Sequence, residues 1–276
     1  MLVERIFPKD SQRYIEIQKF FQEAGDFIEK FSIMRLFIIW SMTVCGTVLS
    51  AGLEDRFVYW DWSGSTTGLI KLAIVSAVFF LILGPNQLWT LGSKRLGTNE
   101  LGSHTLMASA LIVFGGIGGG TDLGRFILHL FPYAIGFLGA VLVFQFPLKL
   151  DISKGEWTVE TWENKFYYLC VSSLFFLVAV LAGFYLDDPV LSTVAMVNLP
   201  FTMVALIFPD HVRHLQRARF YPLFIFSLFL SVRAPWFLIP LIILFFFLRT
   251  ANYFRYGIAY PSFGVDFDET SLYKDV

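Results

Sequence analysis

Residues 166–186 read FYYLCVSSLFFLVAVLAGFYL, and after Asp187-Asp188-Pro189 the chain resumes with VLSTVAMVNLPFTMVALIF over residues 190–208. Neither stretch holds a charge. At about 1.5 Å of rise per residue each makes a helix of roughly 30 Å, the thickness of a bilayer's hydrocarbon core. Comparable apolar runs cover residues 33–53, 68–91, 104–118, 126–148, 220–232 and 235–251, so eight spans are predicted. The third and seventh are short. Pro222, Pro235 and Pro240 interrupt the last two, because proline removes a backbone donor and kinks a helix. Spans seven and eight therefore either both cross or fold as a re-entrant pair. The predicted class is an all-α, polytopic transmembrane helical bundle occupying residues 32–255.

Composition points the same way. Of 276 residues, 56% are hydrophobic and only 16% charged, which lies outside the range of soluble domains and excludes an ordinary water-soluble enzyme. The net charge is −1, so charge implies no nucleic-acid partner. Cys45 and Cys170 fall inside apolar runs, where a thiol behaves as a small hydrophobe. Residues 1–31 carry mixed charge ahead of the first run, unlike a cleavable leader. Within them Tyr14, Ile17, Phe20, Phe21, Ala24, Phe27, Ile28 and Phe31 recur at helical spacing, with Lys19, Glu23, Asp26, Glu29 and Lys30 opposite. That is the pattern of an amphipathic helix lying along the headgroups. Residues 256–276 form an acidic tail.

Positive residues near spans accumulate in the cytoplasm. With the N-terminus inside and eight crossings, only Arg56, Lys71, Arg125 and Arg233 of the 21 Lys and Arg residues fall outside. Both termini are thus expected to be cytoplasmic.

The even-numbered spans deliver polar residues to that face. Span two ends Gly84-Pro85-Asn86-Gln87-Leu88-Trp89-Thr90, span four Phe144-Gln145-Phe146-Pro147-Leu148-Lys149-Leu150, and span six Phe208-Pro209-Asp210-His211-Val212-Arg213-His214. Polar groups at the membrane boundary need partners. Lys94, Arg95, Lys149, Arg213, Arg217 and Arg219 stand beside them and can meet an anionic head, arginine through two parallel hydrogen bonds. The same cations also enforce topology and touch anionic lipid heads. The candidate ligand-binding residues are Asn86, Gln87, Lys94, Arg95, Lys149, Asp210, Arg213, His214 and Arg217.

This arrangement resembles the UbiA superfamily of intramembrane prenyltransferases. Ile33-Met34-Arg35-Leu36 is similar to the family's opening Met-Arg stretch, and Phe146-Pro147-Leu148-Lys149-Leu150 to its Tyr-x-x-Pro-Leu-Arg/Lys-Leu segment. The resemblance extends over residues 30–255 and implies an active site built from the same three cytoplasmic connections. It also implies two aspartate-rich motifs holding magnesium against a prenyl diphosphate, and there the sequence departs. The first reads Asn86, Gln87, Thr90 and Lys94, retaining only the asparagine; the second keeps Asp210 but brings His214 where another carboxylate belongs. Magnesium requires carboxylate oxygens as well as phosphates. The resemblance therefore implies a degenerate relative that binds an isoprenoid or related anionic amphiphile, with magnesium needed only if transfer activity is retained. A structural subunit of a larger membrane complex and an active prenyltransferase are the alternatives. The partners expected are membrane lipid or isoprenoid and other membrane subunits.

The remaining motifs read as structure. His211 and His214 share a helical face but lack a third metal ligand nearby, and His104 and His129 suggest no catalysis. Gly115 to Gly120 follow a membrane helix and not a strand, so helix packing or a turn accounts for them better than a dinucleotide loop. Asp187-Asp188-Pro189 is expected to be an outer turn. Trp60, Trp62, Trp157 and Trp162 are expected at the interfaces. A transporter ranks last, for want of paired ionisable residues within the spans.

Overall fold

The computed structural model describes residues 2–31, 33–51, 62–91, 95–120, 122–146, 148–151, 156–159 and 164–257. These hold ten α-helices: α1 (Leu2–Ile6), α2 (Gln12–Phe31), α3 (Ile33–Ala51), α4 (Ser65–Val78), α5 (Thr98–Gly116), α6 (Leu123–Phe144), α7 (Lys165–Tyr185), α8 (Pro189–Ile207), α9 (Val212–Arg233) and α10 (Leu238–Tyr256). A π-helical turn, Phe79–Leu83, prolongs α4, and a 3-10 turn, Pro235–Phe237, leads into α10. The acidic tail beyond Gly257 lies outside the described residues, as do Lys94, Trp60 and Trp162.

Helices occupy all eight predicted runs. Five segments are long and apolar enough to cross a membrane: Ser65–Leu83, Leu123–Phe144, Lys165–Tyr185, Pro189–Ile207 and Pro235–Arg255. The apolar part of α3, Arg35–Ala51, is shorter. In α5 and α9 the helix begins well before the apolar run, through Thr98-Asn99-Glu100 and through Arg213, Arg217 and Arg219. These polar first turns lower the apolarity of helices that are otherwise long enough. Pro222 sits inside a 22-residue α9, so this proline does not split the helix.

One connection is not helical. After α6 the chain forms a hairpin of β1 (Leu148–Asp151) and β2 (Glu156–Val159), antiparallel with Leu148 opposite Val159 and Asp151 opposite Glu156. The sequence reading has a plain loop here. The stretches Leu-Lys-Leu-Asp and Glu-Trp-Thr-Val alternate apolar and polar residues over four positions, too few to stand out beside the long runs. β2 contacts α9.

α6 is the hub of the bundle. It touches α3, α5, α7, α8 and α9, and half of its apolar window, 50%, is buried, against 22% for α4 on the periphery. A belt of large apolar side chains faces outward, including Ile70, Leu81, Leu106, Phe131, Leu181, Met196, Ile242 and Phe246. In water so large an apolar surface would drive aggregation; against acyl chains it is the expected lining. Lipid offers helices little hydrophobic reason to associate, so close approach and interhelical hydrogen bonds matter more. α3 and α5 meet through Gly46 and Gly115, where a Cβ on either would collide with a backbone carbonyl of the facing helix. Ser41 and Ser227 join α3 to α9 at 2.8 Å, Trp40 Nε1 donates to Ser76 at 2.8 Å, and the Ser172 hydroxyl donates to the Gly139 carbonyl at 2.6 Å.

The expected interfacial helix is α2, and part of its apolar face has a protein partner. Tyr14 and Ile17 pack with Val3, Tyr253 and Phe254, and the Phe21 and Phe254 rings stack 5.3 Å apart. The Tyr14 hydroxyl donates to the Tyr253 carbonyl at 3.1 Å, and that of Tyr253 to the Phe7 carbonyl at 2.6 Å. The N-terminal helices are thus clasped to the end of α10. Ile15 and Phe20 remain exposed.

Candidate functional site

The ends of α4, α6 and α8 and the start of α9 form one end of the bundle, termed here the basic end. The polar residues that sequence reading selects for ligand binding stand mostly on its rim. Asn86 is exposed and its side-chain amide donates to the Ile82 carbonyl at 2.8 Å. It thereby serves its own π-helical turn, whose last carbonyls lose a donor at Pro85. Gln87 is exposed in a left-handed conformation, φ 53°. Asp210, with a 92% exposed side chain, pairs with Lys165 at 2.5 Å. Arg95 is exposed and lies 5.7 Å from the Tyr168 ring centre; Arg213 and Arg217 are exposed on α9. His214 stacks against His211 with 4.3 Å between ring centres. Desolvation, followed by the nearby His211 and Arg217, lowers its pKa. The backbone of Lys149 lies in β1, and Lys94 lies outside the described residues.

Behind this rim the chain after α4 folds inward. Trp89, Thr90, Leu91 and Leu96 are buried. The Thr90 amide donates to His104 Nε2 at 2.9 Å, which places the ring proton on Nδ1, donated to the Glu100 carbonyl at 2.7 Å. The Leu96 amide donates to the Gln145 side-chain oxygen at 2.7 Å. His104 and Gln145 are therefore structural pins.

Under that loop lies a cavity between α3, α6, α8 and α9, lined by Ile38, Met42, Phe137, Ala140, Ala195 and Leu223 among other apolar residues. About 750 Å³ of space separates the surrounding atoms, of which about 80 Å³ admits the centre of a water-sized sphere. It is a narrow slot, fit for a chain and not for a bulky ring system. Asn198, Arg219 and Tyr133 are the polar residues among its lining. Asn198 is fully buried, and neither its amide nitrogen nor its oxygen has a hydrogen-bond partner. A buried amide left in that state costs about 1–3 kcal/mol per unsatisfied group. Arg219 Nε donates to the Phe144 carbonyl at 3.0 Å, and its guanidinium lies 5.2 Å from the centres of both the Phe144 and Phe220 rings.

The opposite end of the slot corrects one expectation. The Asp187–Pro189 segment makes the expected turn between α7 and α8, and within it Asp188 is 1% exposed. One carboxylate oxygen caps α8 by accepting from the amides of Val190 and Leu191 at 3.0 and 2.9 Å and also accepts from the Tyr133 hydroxyl at 3.2 Å. The other lies 3.2 Å from His129 Nδ1. Paired ionisable residues do therefore exist within the bundle. The reason is topological: the helix cap that Asp-Pro announces faces inward, against α6. The signal for Asn198 was also present, an amide eight residues into an uncharged run.

Five segments long and apolar enough to cross a bilayer define a multi-pass helical membrane protein. No family model, curated protein or solved structure matches the chain.

Proposed function

We propose that this chain is an integral membrane protein that holds the hydrocarbon part of an isoprenoid or related anionic amphiphile in the slot between α3, α6, α8 and α9. The observation that carries this reading is Asn198, fully buried and unpartnered at the wall of an otherwise apolar cavity. Arg219 meets the anionic head, with Arg213, Arg217 and Arg95 forming the approach to it from the basic end. Asn86, Gln87 and Asp210 belong to the outer edge of that approach, and the basic end faces the cytoplasm.

The reading keeps the kinship with the UbiA superfamily and gives up its metal chemistry. The residues present do not fit a magnesium diphosphate centre: Asp210 is committed to Lys165, Asn86 to its own helix, and among the described residues no group of three His, Cys, Asp or Glu side chains could hold a metal.

The test is mass spectrometry of lipids extracted from protein purified in mild detergent. Wild-type protein is expected to carry one class of amphiphile in near-stoichiometric amount. Ala195→Phe, which fills the slot from a 2% exposed position, reduces it at least tenfold, and Arg219→Met weakens retention of anionic species selectively. An identical lipid profile in all three proteins defeats the reading.

A further inference from the structure

The slot is braced at both ends. At the basic end Arg219 Nε of α9 donates to the Phe144 carbonyl of α6 at 3.0 Å. At the other end the Tyr133 hydroxyl of α6 donates to Asp188, just ahead of α8, at 3.2 Å, and the Tyr133 and Phe226 rings lie 6.1 Å apart. Tyr133, Leu191 and Phe226 line the slot there and are only 5%, 4% and 9% exposed, so they make a floor of buried side chains. Arg219 stands at the mouth as an unneutralised cation: its partners are a carbonyl and two rings, and among the described residues no carboxylate pairs with it.

Helix geometry sets the depth. The α6 residues on the wall run from Tyr133 to Phe144, about 16 Å at about 1.5 Å per residue, while those of α8, Leu191 to Asn198, and of α9, Arg219 to Phe226, each cover about 10 Å. An extended chain of single bonds advances about 1.2 Å per bond, the rate of a polypeptide that gains about 3.3–3.6 Å over each residue's three bonds. A depth of about 10–16 Å therefore takes a chain of about 9 to 13 carbons. Width is limited as well. The space open to the centres of water-sized spheres, about 80 Å³, spread over that depth leaves a passage roughly 5–6 Å across once the sphere's radius of about 1.4 Å is restored. Carbon atoms in contact stand about 4 Å apart, so one hydrocarbon chain fits and two do not.

We propose that the slot is a length gauge, taking one hydrocarbon chain of about 9 to 13 carbons and turning away longer ones. The inference rests on the reading above, in which the slot holds the hydrocarbon of an anionic amphiphile with its head at Arg219. With the head held there by charge, and Arg219 tethered to Phe144, the far end of the chain meets Tyr133, Leu191 and Phe226. A shorter chain leaves wall atoms without contacts, and a longer one must buckle or lift its head from the arginine. Gly136 keeps the lowest part of the slot open. It lies nearly one turn above Tyr133 on the same wall, and a Cβ added there meets Ala179 Cβ at 3.8 Å and Leu191 Cδ1 at 4.0 Å, ordinary contact distances. A larger side chain at Gly136 therefore grows over the floor without displacing backbone.

The experiment offers full-length protein in mild detergent an equimolar mixture of n-alkyl phosphates, from octyl to octadecyl, and compares by mass spectrometry what the repurified protein retains with what the detergent holds. Decyl and dodecyl phosphate are expected to be retained best. Hexadecyl phosphate is retained about tenfold less, because each methylene that the micelle buries and the slot cannot costs up to roughly fourfold. Gly136→Leu shortens the preferred chain by about 3 to 4 carbons, the height of Gly136 above Tyr133, and Gly136→Ala shifts it the same way by less. Gly102→Leu, on α5 where a Cβ meets open space, leaves the preference unchanged. Size-exclusion profiles identify folded preparations. Retention that keeps rising to octadecyl phosphate overturns the gauge, as does a preference that both Gly136 variants leave in place. Failure to retain any member of the series overturns it too, and the amphiphile reading then stands or falls on the lipids extracted from the native protein, which this mixture never enters.

Discussion

Gly115→Val lowers the melting temperature by roughly 10 °C. Gly115 lies on α5 where it crosses α3, and a Cβ there falls on the Thr43 carbonyl, as one on Gly46 falls on that of Ile112. Neither obstacle is the movable end of a side chain. Backbone must shift, and α3 cannot move alone, since it also packs on α4, α6 and α9. Overpacking in a well-filled core typically costs about 1–3 kcal/mol and occasionally more; a clash against backbone at a helix crossing belongs at the top of that range. Separation would also lengthen the Thr47 hydroxyl bond to the Gly115 carbonyl, 3.2 Å. The comparison is Gly102→Ala on the same helix, where a Cβ meets open space. There alanine's higher helix propensity is worth up to about 1 kcal/mol. Thermal unfolding in detergent by circular dichroism reads both variants, and a Gly115→Val protein that melts like wild type would remove close packing as the basis of the α3–α5 contact.

Asp188→Ala lowers the melting temperature by roughly 10 °C. Its carboxylate accepts from two first-turn amides of α8 and from Tyr133, and faces His129. Loss of an N-cap costs about 0.5–2 kcal/mol, and each buried polar group left without a partner about 1–3 kcal/mol more. A total on the order of 4 kcal/mol corresponds to roughly that shift for a domain of this size. Asp188→Asn keeps the cap and a hydrogen-bonding group toward Tyr133, so it stays within about 1 kcal/mol of wild type. The expected order of melting temperatures is Ala below Asn, with Asn close to wild type. Equal values for Asp188→Ala and wild type would mean that the cap and its network contribute nothing to the fold.

Much of the architecture was legible because span formation is a local property. Twenty or so apolar residues without charge form a helix in lipid regardless of their neighbours, since each backbone group is satisfied within the segment. Hence helices lie over all eight runs. The two short runs, in α5 and α9, are extended by polar turns at Thr98 and Arg213 that lie beyond the apolar windows. The uneven division of Lys and Arg was equally legible, and Lys71 and Arg125 do share one end of the bundle, lining the same cavity.

The site was legible only in outline. Local sequence singled out Asn86 and Asp210 because polar residues stand out where a span ends, but such residues have a cheaper partner close by: Asn86 finds the Ile82 carbonyl four residues back, and Asp210 finds Lys165. Nothing within twenty residues says whether a side chain turns to the rim or to the interior. Asn198 and Asp188 turn inward because α8 packs between α7 and α9, with Asp188 against α6. Sequence by itself determined which segments are helical, where the cations gather, and that the chain prefers lipid to water, since composition and run length act residue by residue. Tertiary structure alone decided that Asp188 joins His129 to Tyr133 and that Asn198 borders an apolar slot, because burial and partnership depend on which helix faces which.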